Sequence, residues 1–419
     1  MSENTKENKG LNINAKFFIT SCVIIFVLMC VVYGLTFIIP GGEYARITDA
    51  DGNAIIDLSK GFKYIDGGIP FWKWILSPFL VLGAEGSGTI IVIIMFLLVV
   101  GGLFNVLDKC GLMQRILNII VSRFSKSRYK LMAVVILFFM VMGSFLGSFE
   151  ECVPLVPIVV ALAIAMGWDS MTGLGMSILA AGCGFAAGVC NPFTVGVAQG
   201  LAGLLLFSGV WYRAVGFVFI YILLTLFIYR YAKKCEKPID SLVATGNITE
   251  NNKIEKSLIK LFSFFWNGVV SVLPAIIMIL MASSIKYTLE EANVLDTILY
   301  NAVHMADTLP KWSVILFIYL IVLVMNFFIS SGSAKAFLLM PLIVPIAQIF
   351  DISPQLCVMA FAFGDGFSNV FYPTNPVLLI SLGLTNVSYG KWAKWTWKFQ
   401  FLNIILTSAL LLVGLAIGY

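Results

Sequence analysis

Charge is scarce in this chain, and where it interrupts apolar sequence it does so at Glu150 and Glu151 in Gly147-Ser148-Phe149-Glu150-Glu151, at Lys335 in Ser331-Gly332-Ser333-Ala334-Lys335, and at Asp365 in Gly364-Asp365-Gly366-Phe367. An acidic side chain at bilayer depth costs about 2.5–3.5 kcal/mol on insertion scales, so such residues mark binding sites or ion paths. Adjacent carboxylates cannot easily point at one ligand. One can face a cation while its neighbour pairs with a lysine or takes up a proton. The glycines around Asp365 permit a backbone that turns its carbonyls outward, and carbonyls with a carboxylate suit a cation such as Na+ near Gly364, Asp365 and Gly366. A structural Asp capping a half-helix is the alternative. Lys335 either binds a substrate carboxylate or neutralises one of the acids. Neutral donors and acceptors stand close by: Ser148, Asn191 and Thr194 in the first half, and Ser331, Ser333, Ser368, Asn369, Thr374 and Asn375 in the second. Half-helices beginning near Asn191-Pro192 and Asn375-Pro376 would present unpaired N–H groups and partial positive charge, a cradle for a carboxylate.

Other chemistries have little to work with. The 8 cysteines are scattered without CxxC or metal-ligand spacing, and the single histidine, His304, lies in a surface segment. Gly182, Gly184 and Gly188 lie inside a span with no strand before them, so they are no dinucleotide fingerprint. Ser331 and Lys335 are not at S-x-x-K spacing. No catalytic residue, resident metal or cofactor is expected, only a coupling ion, Na+ or H+.

Apolar residues make up 60% of the 419 residues and charged ones 12%, with a mean hydropathy of +0.96. That describes an all-α polytopic membrane protein whose principal partner is the lipid bilayer. The formal charge of +5 belongs to cytoplasmic loops and not to nucleic-acid binding. Stretch 17–39 is too long for a signal-peptide core and reads as a retained first span. It follows a cytoplasmic tail, 1–16, and precedes an external loop that reaches residue 70.

The elements that position the charged residues recur. A first repeat, 71–236, holds a span at 89–107, a basic surface segment at 109–130, a hairpin at 131–167, a broken span at 171–206 and a span at 212–231. The hairpin arms, about 17 and 14 residues, are marginal for full crossings, so a re-entrant loop with its tip at Ser148–Glu151 fits better. After a polar linker, 237–260, the second repeat, 261–419, offers a span at 263–281, an acidic surface segment at 286–311, a hairpin at 312–350, a broken span at 353–382 and a last span at 395–417. Counting lysines and arginines places the amino terminus inside and the carboxyl terminus outside, with the two repeats inverted. Backbone that leaves the helix within hydrocarbon is tolerated only where protein or a polar cavity satisfies it, and paired breaks of this kind point to a binding site near mid-membrane.

At these residues the chain resembles the YfcC/DcuC-type carriers of the ion transporter superfamily. The resemblance runs over about 17–417 and rests on Phe149-Glu150-Glu151 with Pro154, Asn191-Pro192-Phe193, Ser331-Gly332-Ser333, Gly364 to Asn369 with Tyr372-Pro373-Thr374, and Tyr389-Gly390-Lys391-Trp392. It implies an inverted-repeat fold with two re-entrant hairpins and two unwound helices, a homodimer in a prokaryotic cytoplasmic membrane, and elevator-like secondary transport of a small-molecule substrate. Related chains carry about two further helices where this one has only its linker. Three acids against Lys335 favour a cationic substrate, so exchange of basic amino acids of the arginine/ornithine kind is the expectation. A Na+- or H+-coupled carrier of carboxylates, C4-dicarboxylates or neutral amino acids is the alternative, and a passive channel is the competing class.

Overall fold

The computed structural model describes residues 15–48, 54–56, 61–84, 87–112, 119, 124, 127–237, 258–306 and 310–419. Most of the tail, the basic surface segment and the linker lie outside the described residues.

The chain opens with α1 (Ala15–Ile38), followed by a loop carrying four short strands, β1 (Gly42–Tyr44), β2 (Arg46–Thr48), β3 (Ala54–Ile56) and β4 (Phe62–Tyr64). β1 pairs antiparallel with β4, and β2 with β3. Two short helices, α2 (Phe71–Ile75) and α3 (Ser77–Leu80), lead to α4 (Ser87–Lys109). The first hairpin is α5 (Arg128–Val141) with its π-turn Met142–Leu146, the 3₁₀ turn Glu150–Leu155, and α6 (Val156–Ala165). Next come the first broken helix, α7 (170–187) and α8 (192–201), and then α9 (Val210–Cys235). The second half holds α10 (Leu258–Glu291), α11 (Leu295–Ala306), a hairpin of α12 (Lys311–Phe328) and α13 (Gly332–Ile349), a broken helix of α14 (Pro354–Asn369) and α15 (Pro376–Leu384), and α16 (Tyr389–Ala416). Among the described residues 7 helical stretches are long and apolar enough to cross a membrane. The first broken stretch is 94% buried, against 39–50% for the others. It is therefore shielded by protein, where freed backbone groups can find partners.

Three sequence expectations are corrected. The loop after α1 carries strands where only irregular chain was foreseen. α10 runs on through Glu291 and takes in the start of the presumed surface segment, because several of its polar residues find partners within the helix. Ser284 and Thr288 hydroxyls donate to carbonyls three and four residues back, at 2.7 and 2.8 Å, and Lys286 pairs with Glu290 at 3.1 Å. The second helix breaks at 370–375 and not at the Gly364-Asp365-Gly366 glycines, which stay helical.

Contacts at the helix ends sort the chain into two faces. Arg128 pairs with Glu236 and donates to the Met166 carbonyl at 3.3 Å, while the Lys237 N–H donates to Gly167 at 2.8 Å. Both roots of the first hairpin thus meet the end of α9. Elsewhere the strand loop joins the α10–α11 junction through Gly42 N–H to Asn293 O at 2.8 Å, Arg46 to Asp296 at 2.9 Å, and Lys73 to Glu291. The packing also treats the two halves alike. α5 packs on α7 as α12 does on α14, α8 packs on α13 as α15 does on α6, and the broken helices cross each other at α7 and α14.

Glycines make those crossings close. A Cβ on Gly184 would lie 2.0 Å from the Met140 carbonyl oxygen, one on Gly143 2.2 Å from that of Ala181, and one on Gly366 2.3 Å from the Ala186 backbone. Overpacking of a filled interior costs about 1–3 kcal/mol even where side chains can shift, and here the obstacle is backbone. Gly184→Val is expected to lower the thermal midpoint of the detergent-solubilised protein by several degrees. Gly200→Ala, which meets nothing within 4 Å, should leave it in place, and equal midpoints for both variants would refute the close-crossing argument.

Candidate functional site

Each break exposes backbone groups, and specific side chains take them up. In the first, Gly188 turns the chain with φ +49°. The Val189 N–H donates to Ser144 Oγ at 3.0 Å and the Cys190 N–H to the Ser144 carbonyl at 3.1 Å. The Val189 carbonyl accepts from Arg213 Nε and Nη2, both at 3.2 Å. Asn191 then starts α8, its Oδ1 accepting from the Phe193 and Thr194 N–H groups at 2.9 and 3.3 Å. The second break follows the same plan. Trp392 Nε1 donates to the Val370 carbonyl at 2.8 Å and the Tyr389 hydroxyl to that of Phe371 at 2.9 Å. Asn375 Oδ1 caps α15 by accepting from Val377 and Leu378 at 2.9 and 3.3 Å.

Both hairpin tips reach the first break. A Cβ on Gly147, held at φ +67° in the first tip, would sit 2.5 Å from Asn191 Oδ1. One on Gly332, which opens α13, would sit 2.5 Å from Thr194 Cγ2 and 2.7 Å from Asp365 Oδ2. The second tip is therefore wedged between α8 and α14.

Behind that wedge lies a buried polar network. Lys335 and Asp365, both 0% exposed, form an ion pair with Nζ 2.5 Å from Oδ1. Lys335 also donates to Asn326 Oδ1, and to the Ile329 carbonyl at 3.3 Å. Asn326 Nδ2 lies 3.0 Å from the Asp365 carbonyl, 2.6 Å from Ser368 Oγ and 3.0 Å from Asn369 Oδ1. Asn375 Nδ2 donates to the same Asn369 oxygen at 2.9 Å. The Gly364 and Asp365 carbonyls are not turned outward: Ser368 Oγ donates to the first at 2.7 Å and Asn326 to the second. Gly364 and Gly366 instead admit Val322 and Ala186.

The structure thus gathers Lys335, Asp365, Ser368, Asn369 and Asn375 into one network, with Thr194 beside it across Gly332 and Asn191 against Gly147 of the first tip. Ser148 lies in the turn of the first tip, where its carbonyl accepts from Cys152 Sγ at 3.0 Å. Ser331 is exposed and Ser333 half-buried at the second tip, and Thr374 is buried in the second break. Glu150 and Glu151 remain exposed at the first tip and outside the network. Sequence reasoning missed Asn326, the hub, whose signal was a lone amide near the end of an otherwise apolar 18-residue arm. It also missed Arg213, buried in the first turn of α9.

Several buried polar atoms at this junction have no partner within the protein: Asp365 Oδ2, Thr194 Oγ1, Asn191 Nδ2 and Thr374 Oγ1. Leaving such a group unsatisfied costs about 1–3 kcal/mol each. Eight other buried atoms of the described residues, among them Asn403 Nδ2 and Oδ1, also lack a protein partner, and water serves such groups as readily as a ligand does.

Buried broken helices, hairpin tips meeting at a break and apolar spans together define a multi-pass membrane transporter. The chain belongs to the C4-dicarboxylate anaerobic carrier family (DcuC), whose model matches residues 18–256 and 243–416. A protein of Escherichia coli K12, provisionally named basic amino acid antiporter YfcC, is 27% identical over 399 residues, covering 79% of each chain. An uncharacterised Haemophilus influenzae protein is 21% identical over 511 residues, covering 99% of each. Among solved structures, the Alcanivorax borkumensis YdaH transporter aligns with a TM-score of 0.47 at 15% identity, covering 96% of this chain and 98% of its own. Neisseria gonorrhoeae MtrF, described with a class of antimetabolite efflux pumps, aligns with a TM-score of 0.43 at 12% identity, covering 94% and 95%.

Removing one partner of a buried ion pair strands the other charge and costs about 3–5 kcal/mol, whereas replacing both is often close to neutral. Lys335→Met and Asp365→Asn are each expected to destabilise the protein strongly, and the double variant less than the two summed. Additive losses in thermal or denaturant unfolding would mean that the pair is not a unit.

Proposed function

We propose that this protein is a secondary active transporter that moves a small metabolite across the cytoplasmic membrane by alternating access, with substrate bound where the hairpin tips meet the helix breaks. The observation that carries this reading is the junction where Gly332 of the second tip lies between Thr194 and Asp365, each with an unpartnered buried polar atom. A bound substrate supplies their missing hydrogen bonds. In this reading Ser148, Ser331, Ser333, Ser368, Asn369 and Asn375 shape the site's polar lining.

Lys335 cancels Asp365, which leaves Glu150 and Glu151 as the open charges beside the first tip. Two carboxylates favour a cationic substrate, and exchange of basic amino acids of the arginine/ornithine kind is the leading assignment. The name given to the Escherichia coli relative agrees with it. A second reading, carriage of a C4-dicarboxylate or another carboxylate with Na+ or H+, draws on the family's description. The like packing of the two halves supports an inverted repeat, in which hairpins entering from opposite sides close the site alternately. The hairpins and broken helices then move as one elevator-like body against α1, α4 and α10, within a homodimer.

In this arrangement the amino terminus is inside and the carboxyl terminus outside. In a cysteine-free background, Asp66→Cys should react with a membrane-impermeant maleimide in intact cells and Lys237→Cys only after permeabilisation. The opposite pattern would reverse the topology. Proteoliposomes preloaded with ornithine should take up arginine with trans-stimulation, and Glu150→Gln should reduce uptake at least tenfold while the protein stays folded. Exclusive uptake of dicarboxylates would discard the basic amino acid assignment, and ohmic single-channel currents would discard the carrier.

A further inference from the structure

The Lys335 ammonium is held as a bound alkali cation would be held. Its acceptors are a carboxylate oxygen of Asp365 at 2.5 Å, the amide oxygen of Asn326 and the backbone carbonyl of Ile329 at 3.3 Å. All are hard oxygen ligands of the kind that surround Na+ or Ca2+. They come from α12, the residue just beyond it, and α14, while the lysine itself stands on α13. The side chain therefore reaches out of its own helix into a cage that other elements build.

Two further observations bear on what this cage is for. Lysines at membrane depth usually extend their heads toward water, yet Lys335 is 0% exposed and lies beside a carboxylate that is equally buried. A buried ion pair confers no stability over apolar residues of similar volume, so its presence calls for a reason other than folding. The second observation is the direction of Asp365. One carboxylate oxygen holds the ammonium, and the other is unpartnered and turned to Gly332, the first residue of α13 at the second tip, next to Thr194. The same carboxylate thus touches the cation on one side and the candidate substrate region on the other.

We infer that Lys335 is a tethered counter-cation, permanently occupying a cation position formed by Asp365, Asn326 and Ile329, so that the second hairpin closes on its site without Na+. The inference deepens the transport reading and rests on it for its consequence. A diffusible ion binds on one side of the membrane and leaves on the other, and its gradient can drive a substrate uphill. A covalently attached ammonium travels in both directions and is never released. Accumulation by this protein must then draw on the gradient of a counter-substrate, which fits an exchanger.

The test is thermal unfolding of the purified full-length protein in detergent, with NaCl exchanged for choline chloride at constant ionic strength. The wild-type midpoint is expected to be the same in both salts. Lys335→Ala should unfold several degrees lower in choline and recover much of the loss with Na+ or methylammonium, which bind the emptied position in the native state and stabilise it by mass action. Lys335→Ser serves as a second cavity variant, and the wild-type comparison needs no variant. Saturable stabilisation of the wild type by Na+ would overturn the inference, as would folded cavity variants indifferent to both cations. Because the readout requires no substrate, cation rescue alongside failure to transport any amino acid or carboxylate would sink the transport reading and leave the tethered cation standing. Exchange that requires Na+ would do the reverse.

Discussion

Peptide groups that leave helical geometry inside hydrocarbon cannot turn to water, and this constraint governs most of what the chain does. At the first break Ser144 and Arg213 meet the groups of Val189 and Cys190, and Asn191 caps the helix that restarts. At the second, Trp392, Tyr389 and Asn375 do the same work from different elements. Those partners must lie within hydrogen-bond reach, so the long halves of the broken helices are buried in protein. Gly143, Gly184 and Gly366 let the surrounding helices approach that closely. The polarity needed to satisfy the breaks is also polarity that the proposed substrate could use.

Electrostatics at the centre is settled by proximity. Asp365 sits fully buried beside Lys335, and Asn326 bridges both to Ser368 and Asn369. The pair joins both arms of the second hairpin to the long half of the second broken helix. The first hairpin has no equivalent pair: its Glu150 and Glu151 are open, and its tip is fixed through Ser144 and Gly147 instead. The two tips are alike in placement and unlike in charge. In the proposed reading that asymmetry is what would set the charge of the substrate.

Much of the fold was legible in the sequence because its signals are coarse. Long apolar stretches, Asn-Pro restarts and clustered polar residues state where spans, breaks and tips belong, and the breaks do lie just before Asn191-Pro192 and Asn375-Pro376. Asp365 and Lys335 stood out in the sequence as candidates because charge in apolar sequence has few other uses. Their pairing was not, since residues 30 apart in sequence meet only once the hairpin folds back on α14. Glycine misled the placement of the second break. Gly364 and Gly366 serve close helix packing, and no local signal separates that from backbone release. Asn326 and Arg213 escaped notice because a single polar residue in an apolar helix has no pattern; only the tertiary contact gives it a role. The end of α10 was placed too early because Lys286, Glu290 and Glu291 read as the start of a charged surface segment, whereas the helix carries them and pairs Lys286 with Glu290.

The central claim is that substrate binds where the hairpin tips meet the helix breaks. Its most direct measurement is the rate at which Ser331→Cys, exposed at the second tip, reacts with a maleimide in a cysteine-free, transport-competent protein. A transported substrate should slow that reaction in a saturable manner and leave Asp66→Cys in the strand loop unaffected. Unchanged reactivity at Ser331→Cys under saturating, demonstrably transported substrate would contradict the account.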